Sequence, residues 1–177
     1  MKKIVDGVTI EILTGDIAAQ DDIDAVVNAA NAQLRSGGGV AGALHRAAGP
    51  GLEEEGRPMA PIKPGEAVIT GGHNLPNSYV IHCLGPVYGV DRPEDKLLAD
   101  CYRNALRLAE ESKLEAVAFP SISTGAFGYP MEDAAGVAFR TVKEVAPALK
   151  YVKLIRFVLH GQEALELHQK VAERILS

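Results

Sequence analysis

The sequence has little cysteine, no long apolar run and no surplus of positive charge, and each shortage removes a class of protein. Two cysteines, Cys83 and Cys101, do not make a secreted disulfide scaffold, so reduced, cytoplasmic surroundings are the expectation. No stretch approaches the ~20 apolar residues of a membrane-spanning helix. The opening Met1-Lys2-Lys3-Ile4-Val5-Asp6 turns polar too soon for a signal peptide. A net charge of −5 argues against broad electrostatic capture of nucleic acid, which needs clustered Lys and Arg. No linker, charge block or internal repeat divides the chain, and no His/Cys/Asp/Glu cluster has metal-ligand spacing. His82 and Cys83, neighbours on an expected strand, point to opposite faces and cannot share an ion. Neither a P-loop ending in Gly-Lys-Ser/Thr nor a Gly-x-Ser-x-Gly elbow occurs, which removes P-loop NTPases and makes nucleophilic serine chemistry a poor fit.

What remains is the composition of an ordinary globular domain: 177 residues, 47% hydrophobic and 23% charged. At 18.8 kDa, surface scaling gives a folded area of about 8,300 Å² against roughly 27,000 Å² unfolded. That supports a full core without disulfide or metal, and a single domain over 1–177 is expected. Apolar, β-branched runs predict strands at 8–13, 24–30, 66–70, 79–84, 115–120 and 151–159. Helical spacing predicts helices at 40–48, 94–113 and 163–176, with another opening at Pro130. This alternation predicts an α/β fold: a three-layer α/β/α sandwich around a central, mostly parallel mixed sheet. In such sheets ligands sit beyond the carboxyl ends of the strands. Three small, polar segments follow strand ends: Gly15-Asp16, 28–39 and 121–128. They converge on one crevice.

That crevice reads as an anion cradle. Gly37-Gly38-Gly39 before a helix allows close backbone approach, and the helix start adds partial positive charge. The Gly-x-Gly-x-x-Gly match of 37–42 does not follow its strand at once, because 30–36 intervene; a conventional hydride-transfer site is therefore rejected. Ser121-Ile122-Ser123-Thr124-Gly125-Ala126-Phe127-Gly128 offers a second array of amides and hydroxyls. No Lys or Arg lies within either loop, so amides and dipoles must hold the anion. Asn28 is read as holding loop backbone; Asn31, nearer the glycines, suits a ribose hydroxyl or a water. Asp16 is either a helix N-cap or, facing the crevice, an acceptor for an exocyclic amine. His45 reads as packed or capping, Glu53-Glu54-Glu55 as a solvated helix face, and Leu97, Leu98 and Leu106 as core.

In this order and spacing the chain resembles the macrodomain family of ADP-ribose-binding modules along essentially its full length. The resemblance rests on Gly15-Asp16-Ile17, Asn28-Ala29-Ala30-Asn31, Gly37-Gly38-Gly39-Val40, Gly71-Gly72 with Leu75-Pro76, Ile81-His82 with Gly85-Pro86, and 121–125 with Gly128-Tyr129-Pro130. It implies that Asp16 takes adenine N6 with the backbone of Ile17 beside it. Asn31 would reach the distal ribose, and Gly38, Gly39 and Val40 would line the diphosphate. Ser123, Thr124, Gly125 and Ala126 would donate N–H bonds to the phosphates, Phe127 would pack on the distal ribose, and His160 would lie near the adenine. MacroD-type hydrolases read Gly-Val-Asp-Gly where this chain reads Gly39-Val40-Ala41-Gly42; relatives with Gly-Val-Ala are still considered de-ADP-ribosylating enzymes. The resemblance therefore implies a protein that binds ADP-ribose or ADP-ribosylated proteins. It further implies hydrolysis of mono-ADP-ribose from acidic side chains or deacetylation of O-acetyl-ADP-ribose, with Asn31 as the catalytic candidate and no metal or cofactor. The alternative is a non-catalytic reader of ADP-ribose, which Ala41 favours.

Overall fold

The computed structural model describes residues 1–177 and exposes 8075 Å², close to the area expected for this mass. Seven strands form one sheet: β1 (Lys2–Val5), β2 (Val8–Thr14), β3 (Ala25–Ala29), β4 (Ala67–Gly71), β5 (Tyr79–Cys83), β6 (Ala116–Phe119) and β7 (Leu154–Leu159). Their order is β1-β2-β7-β6-β3-β5-β4. The five central strands, β2 to β5 in that order, pair in parallel, while β1 and β4 pair antiparallel at the two edges. The sheet is thus mixed and mostly parallel, as the alternation of strands and helices predicts. No helix is long and apolar enough to cross a membrane.

Five helices cover the faces: α1 (Gly39–Ala48), α2 (Gly51–Gly56), α3 (Glu94–Glu111), α4 (Met131–Val145) and α5 (Gln162–Leu176). Alternate residues of the inner strands face opposite layers, so Ala25 and Val27 pack with α3, α4 and α5 while Val26 packs with α1 and α2. The layers are unequal: 35 buried residues lie on the first side and 11 on the second. On the thick side Phe119, Phe157 and Phe139 run in contact, with centroids 5.8 and 4.9 Å apart. The thin side carries the glycine-led helix α1, and it holds α1 close to the carboxyl end of β3.

Three local features depart from expectation. The short edge strand β1 was not expected. The helix α4 begins at Met131, with Pro130 as its N-cap at φ −57° and ψ 127°: extended ψ places Pro130 just outside the helix. Of the three leucines read as core, Leu98 and Leu106 are buried and Leu97 is only half-buried.

Candidate functional site

The chain leaves β3 toward β5 and β4, and leaves β6 toward β7. A crevice opens beyond the carboxyl ends of these neighbouring parallel strands, where connections to opposite sides diverge. It holds a cavity of about 330 Å³. Ala29, Ala30 and Asn31 form its floor at the end of β3, and Gly85 joins from the end of β5. One wall is Gly37 to Ala41 and the other runs from Ser121 through Ser123 to Gly125, Ala126 and Phe127.

No lining residue is ionisable. The donors are amides. In α1 the first helical bond runs from Gly42 N–H to Gly38 O at 3.2 Å, and no side chain caps the helix. The amides of Gly37, Gly38, Gly39, Val40 and Ala41 therefore donate to no atom of the chain. In the opposite wall the amides of Thr124, Gly125, Ala126 and Phe127 are likewise unpaired, while Gly128 N–H and Tyr129 N–H close the loop onto Gly125 O and Ser123 O at 3.0 and 2.9 Å. Two arrays of free N–H groups thus face one cavity, one of them at a helix N-terminus, the arrangement that binds phosphate.

The glycine wall is shaped by two backbone requirements. Gly39 has φ +55°, a left-handed conformation that a side chain would strain. At Gly42 a Cβ would meet the carbonyl oxygen of Gly37, so the loop can fold back on the helix only over glycine. In the opposite wall Ser123 takes φ +68°, its side chain is buried, and its Oγ has no partner. Thr124 Oγ1 is turned inward, donating to Ser121 at 3.0 Å, and does not line the cavity.

Asn31 lines the cavity and also ties the chain before the glycines. Its Nδ2 donates to Arg35 O at 2.8 Å, and its Oδ1 accepts from Arg35 N–H at 3.0 Å. An amide has a second N–H and a second lone pair, so both ends keep capacity for a ligand. Asn28 does not hold loop backbone. It lies opposite His82 in the register, and Nδ2 meets His82 Nδ1 at 3.1 Å; His82 Nε2 then meets Thr70 Oγ1 at 2.9 Å. Thr70 Oγ1 donates to Gly71 O, so it accepts from His82 Nε2–H, and Nδ1 is left to accept from Asn28. Burial holds His82 neutral, its pKa lowered to about 3. Cys83 points to the other face, toward Cys101, as expected of adjacent strand residues. His45, on α1, is buried with Nε2 unpartnered, and burial lowers its pKa.

The glutamate run is not a solvated face. Glu54 is exposed, but Glu53 accepts Ser36 N–H at 2.9 Å, just ahead of the glycines. Glu55 accepts Gly71 N–H at 3.1 Å and meets His73 Nε2 at 2.7 Å. The run itself carries no signal for these pairings, which depend on how α2 sits against Ser36 and the end of β4.

The structure brings Asn31, Gly38, Gly39, Val40, Ser123, Gly125, Ala126 and Phe127 to one cavity. Asp16, Ile17, Thr124 and His160 stand outside its lining. Asp16 follows β2 and His160 follows β7, on adjacent strands with Thr14 opposite Leu159. Both are exposed on the same edge of the sheet, and Asp16 Oδ1 accepts Ala18 N–H at 2.9 Å in a local turn. The Ile17 side chain belongs to the core. Gly85 was missed among the converging segments; the Gly85-Pro86 step right after an apolar strand was its signal.

A Macro domain family model matches residues 27–138. An O-acetyl-ADP-ribose deacetylase of Klebsiella pneumoniae is 43% identical over 166 residues, covering 91% of this chain and 94% of that one. Among solved structures, the Oceanobacillus iheyensis macrodomain with ADP superposes with a TM-score of 0.93 at 38% identity, covering 98% of this chain and 95% of that one. The Trypanosoma brucei macrodomain in complex with ADP-ribose superposes with a TM-score of 0.84 at 33% identity, covering 91% of this chain and 68% of that one. In sequence and in fold alike, the chain belongs to the Macro domain family.

Proposed function

We propose that the chain binds ADP-ribose with its pyrophosphate between the two amide arrays and hydrolyses esters at the distal ribose, either mono-ADP-ribosyl esters of acidic side chains or O-acetyl-ADP-ribose. The observation that carries this reading is the pair of free N–H arrays, Gly37 to Ala41 and Gly125 to Phe127, facing each other across a cavity without a charged side chain. The name of the Klebsiella relative and the nucleotides in the solved relatives point the same way. Asp16 and His160 follow adjacent strands on the same sheet edge beyond the cavity, which supports giving them the adenine end.

With Ala41 in the cavity wall there is no carboxylate to act as a general base. Catalysis then rests on positioning. The amide arrays fix the pyrophosphate and so the distal ribose, and Asn31 uses its spare N–H or lone pair to orient a ribose hydroxyl or the attacking water. Water adds to the ester carbonyl, the acyl–oxygen bond breaks, the ribose oxygen leaves and takes up a proton as the hydroxyl, and the acetic acid or side-chain carboxylic acid so formed loses its proton to solvent. Amides aimed at the developing charge contribute electrostatically without reorganising.

The same uncharged lining favours a second reading, a module that holds ADP-ribose without turnover. One assay separates them: incubate the protein with a protein mono-ADP-ribosylated on acidic residues, and with O-acetyl-ADP-ribose, and follow release against background. Release supports hydrolysis. ADP-ribose binding by calorimetry with no release of either product leaves the reader. Absence of binding removes both.

A further inference from the structure

We propose that a second cavity, next to the first, takes the guanidinium or ammonium group of a basic side chain carried by the polypeptide whose ADP-ribosyl group occupies the first. The identity of that polypeptide rests on the ADP-ribosyl reading above; the cation site rests on its own residues. The cavity, of about 280 Å³, lies between the first turns of α3 and α4 and the end of α5. Its aromatic wall is Tyr88 against Tyr129, with ring centroids 4.9 Å apart and planes tilted by 58°. Tyr88 is 43% exposed, whereas Tyr129 is 5% exposed. The Tyr129 hydroxyl nonetheless makes no hydrogen bond within the chain, although the residue lines the cavity. A ring that is almost wholly buried thus presents its phenol oxygen, free of any partner in the chain, to whatever enters the cavity.

The surrounding charges say what that is. Asp95 from α3 and Glu132 and Asp133 from α4 line the cavity together with Arg140, which folds back beside Gly136 on α4, and Arg174 from α5, which Glu132 engages at 3.6 Å. Burial first, and then the charges of Asp95, Asp133 and Glu94, push the Tyr129 phenol up to about 12. Acidic residues in first turns complement helix dipoles, which accounts for the carboxylates. It accounts for neither the unbonded phenol nor the exposed aromatic face beside it. A π-face, a phenol oxygen and carboxylates together suit an organic cation.

The two cavities adjoin along one loop: Phe127 lines the first and Tyr129, two residues on, lines the second, while Tyr88 N–H donates to Phe127 O at 2.8 Å. Two residues span at most about 7 Å, so the two linings approach each other that closely and a polypeptide with its modified side chain in the first cavity passes beside the second. The site therefore selects modified acidic residues that have a basic neighbour.

Two measurements test this on the full chain. Ring resonances of labelled tyrosines are followed while N-acetyl-arginine methylamide is added, with the neutral citrulline analogue as control. The Tyr88 and Tyr129 signals should shift saturably with arginine alone, with or without ADP-ribose, and the Asp95→Asn/Asp133→Asn double variant and Tyr88→Leu should each reduce the response at least threefold. No saturable shift overturns the cation site, whatever the protein does with ADP-ribose. Calorimetry then compares peptides mono-ADP-ribosylated on glutamate with arginine or citrulline three residues away. The arginine peptide should bind about tenfold more tightly, an advantage the double variant should lose while its affinity for free ADP-ribose stays unchanged. Equal affinities despite the tyrosine shifts overturn the polypeptide-borne cation. Failure of ADP-ribose itself to bind sinks the proposed function and the substrate link, and leaves the first measurement to decide the cation site.

Discussion

Asn31 clasps Arg35 from both sides, donating to its carbonyl at 2.8 Å and receiving its N–H at 3.0 Å, so one side chain closes the turn that delivers the chain to the glycine wall. The same side chain lines the cavity. Its removal therefore acts on two levels. Asn31→Ala loses two hydrogen bonds of about 1 kcal/mol each and leaves the turn looser. The expected result is a several-fold rise in the Kd for ADP-ribose and a larger fall in kcat, at least about tenfold, in paired calorimetry and turnover assays. A variant with unchanged turnover would end the catalytic assignment.

The glycines divide into two kinds, and substitution should separate them. Gly38 is extended, at φ −88° and ψ −179°, and neither Gly38 nor Gly125 has anything within 4 Å of a notional Cβ. Both substitutions, Gly38→Glu and Gly125→Val, should fold with Tm unchanged within a few degrees and still lose ADP-ribose binding, because their side chains enter the cavity. Gly42→Ala meets the Gly37 carbonyl and should lower both Tm and affinity. Thermal melts beside calorimetry on the three variants check the division.

Glu53 acts on the site from outside it. Its carboxylate accepts Ser36 N–H at 2.9 Å and holds the segment leading into the glycines. Glu53→Ala should weaken ADP-ribose by about fivefold, the loss of roughly 1 kcal/mol of loop ordering, without any contact to the ligand. An affinity equal to that of the native protein would show that the glycine wall holds its shape unaided.

Acid should unfold this protein through its buried histidines. Burial lowers the pKa of His82 to about 3 and also lowers those of His45 and His168, while the unfolded chain titrates near ~6.5. The folded-state values lie below the unfolded one, so the unfolded chain binds more protons and stability falls as pH drops below about 6.5. Each such histidine steepens the loss by up to about 1.4 kcal/mol per pH unit. Urea unfolding at pH 7, 6 and 5 should show the decline, and His82→Gln should flatten it even though the variant is less stable at pH 7. An identical slope would mean that His82 titrates alike folded and unfolded.

Patterning revealed the strands that are buried on both faces, because β3, β5, β6 and β7 are apolar runs between small-residue loops. It did not reveal β1, whose burial alternates and whose two lysines, Lys2 and Lys3, read as a polar start. The turn signal was nevertheless present: Asp6-Gly7, with φ of +49° and +82°, is the two-residue hairpin that pairs Val5 with Val8. The cradle was legible for a related reason, since glycine and small polar residues after apolar strands have few other uses. Periodicity has no reach over pairings between distant residues. Glu53 bonding to Ser36 and Asn28 bonding to His82 are set by how helix and strands come together in space, and one residue's neighbours in sequence say nothing of them. The backbone role read for Asn28 falls to Asn31 for that reason: the amide in the sheet serves a histidine, and Asn31 clasps the backbone while also lining the cavity.

A cavity that grips its anion through main-chain amides, with no ionisable residue in its lining, has a consequence for selectivity. Ammonium groups at a surface attract a phosphate through charge that dissolved ions screen, which gives electrolytes leverage over occupancy. Fixed dipoles act only at contact and have no proton to lose near neutrality. Occupancy should therefore follow the shape of the guest, nearly indifferent to salt and buffer, and compact oxyanions that fill only one of the two facing walls should compete poorly however concentrated they are.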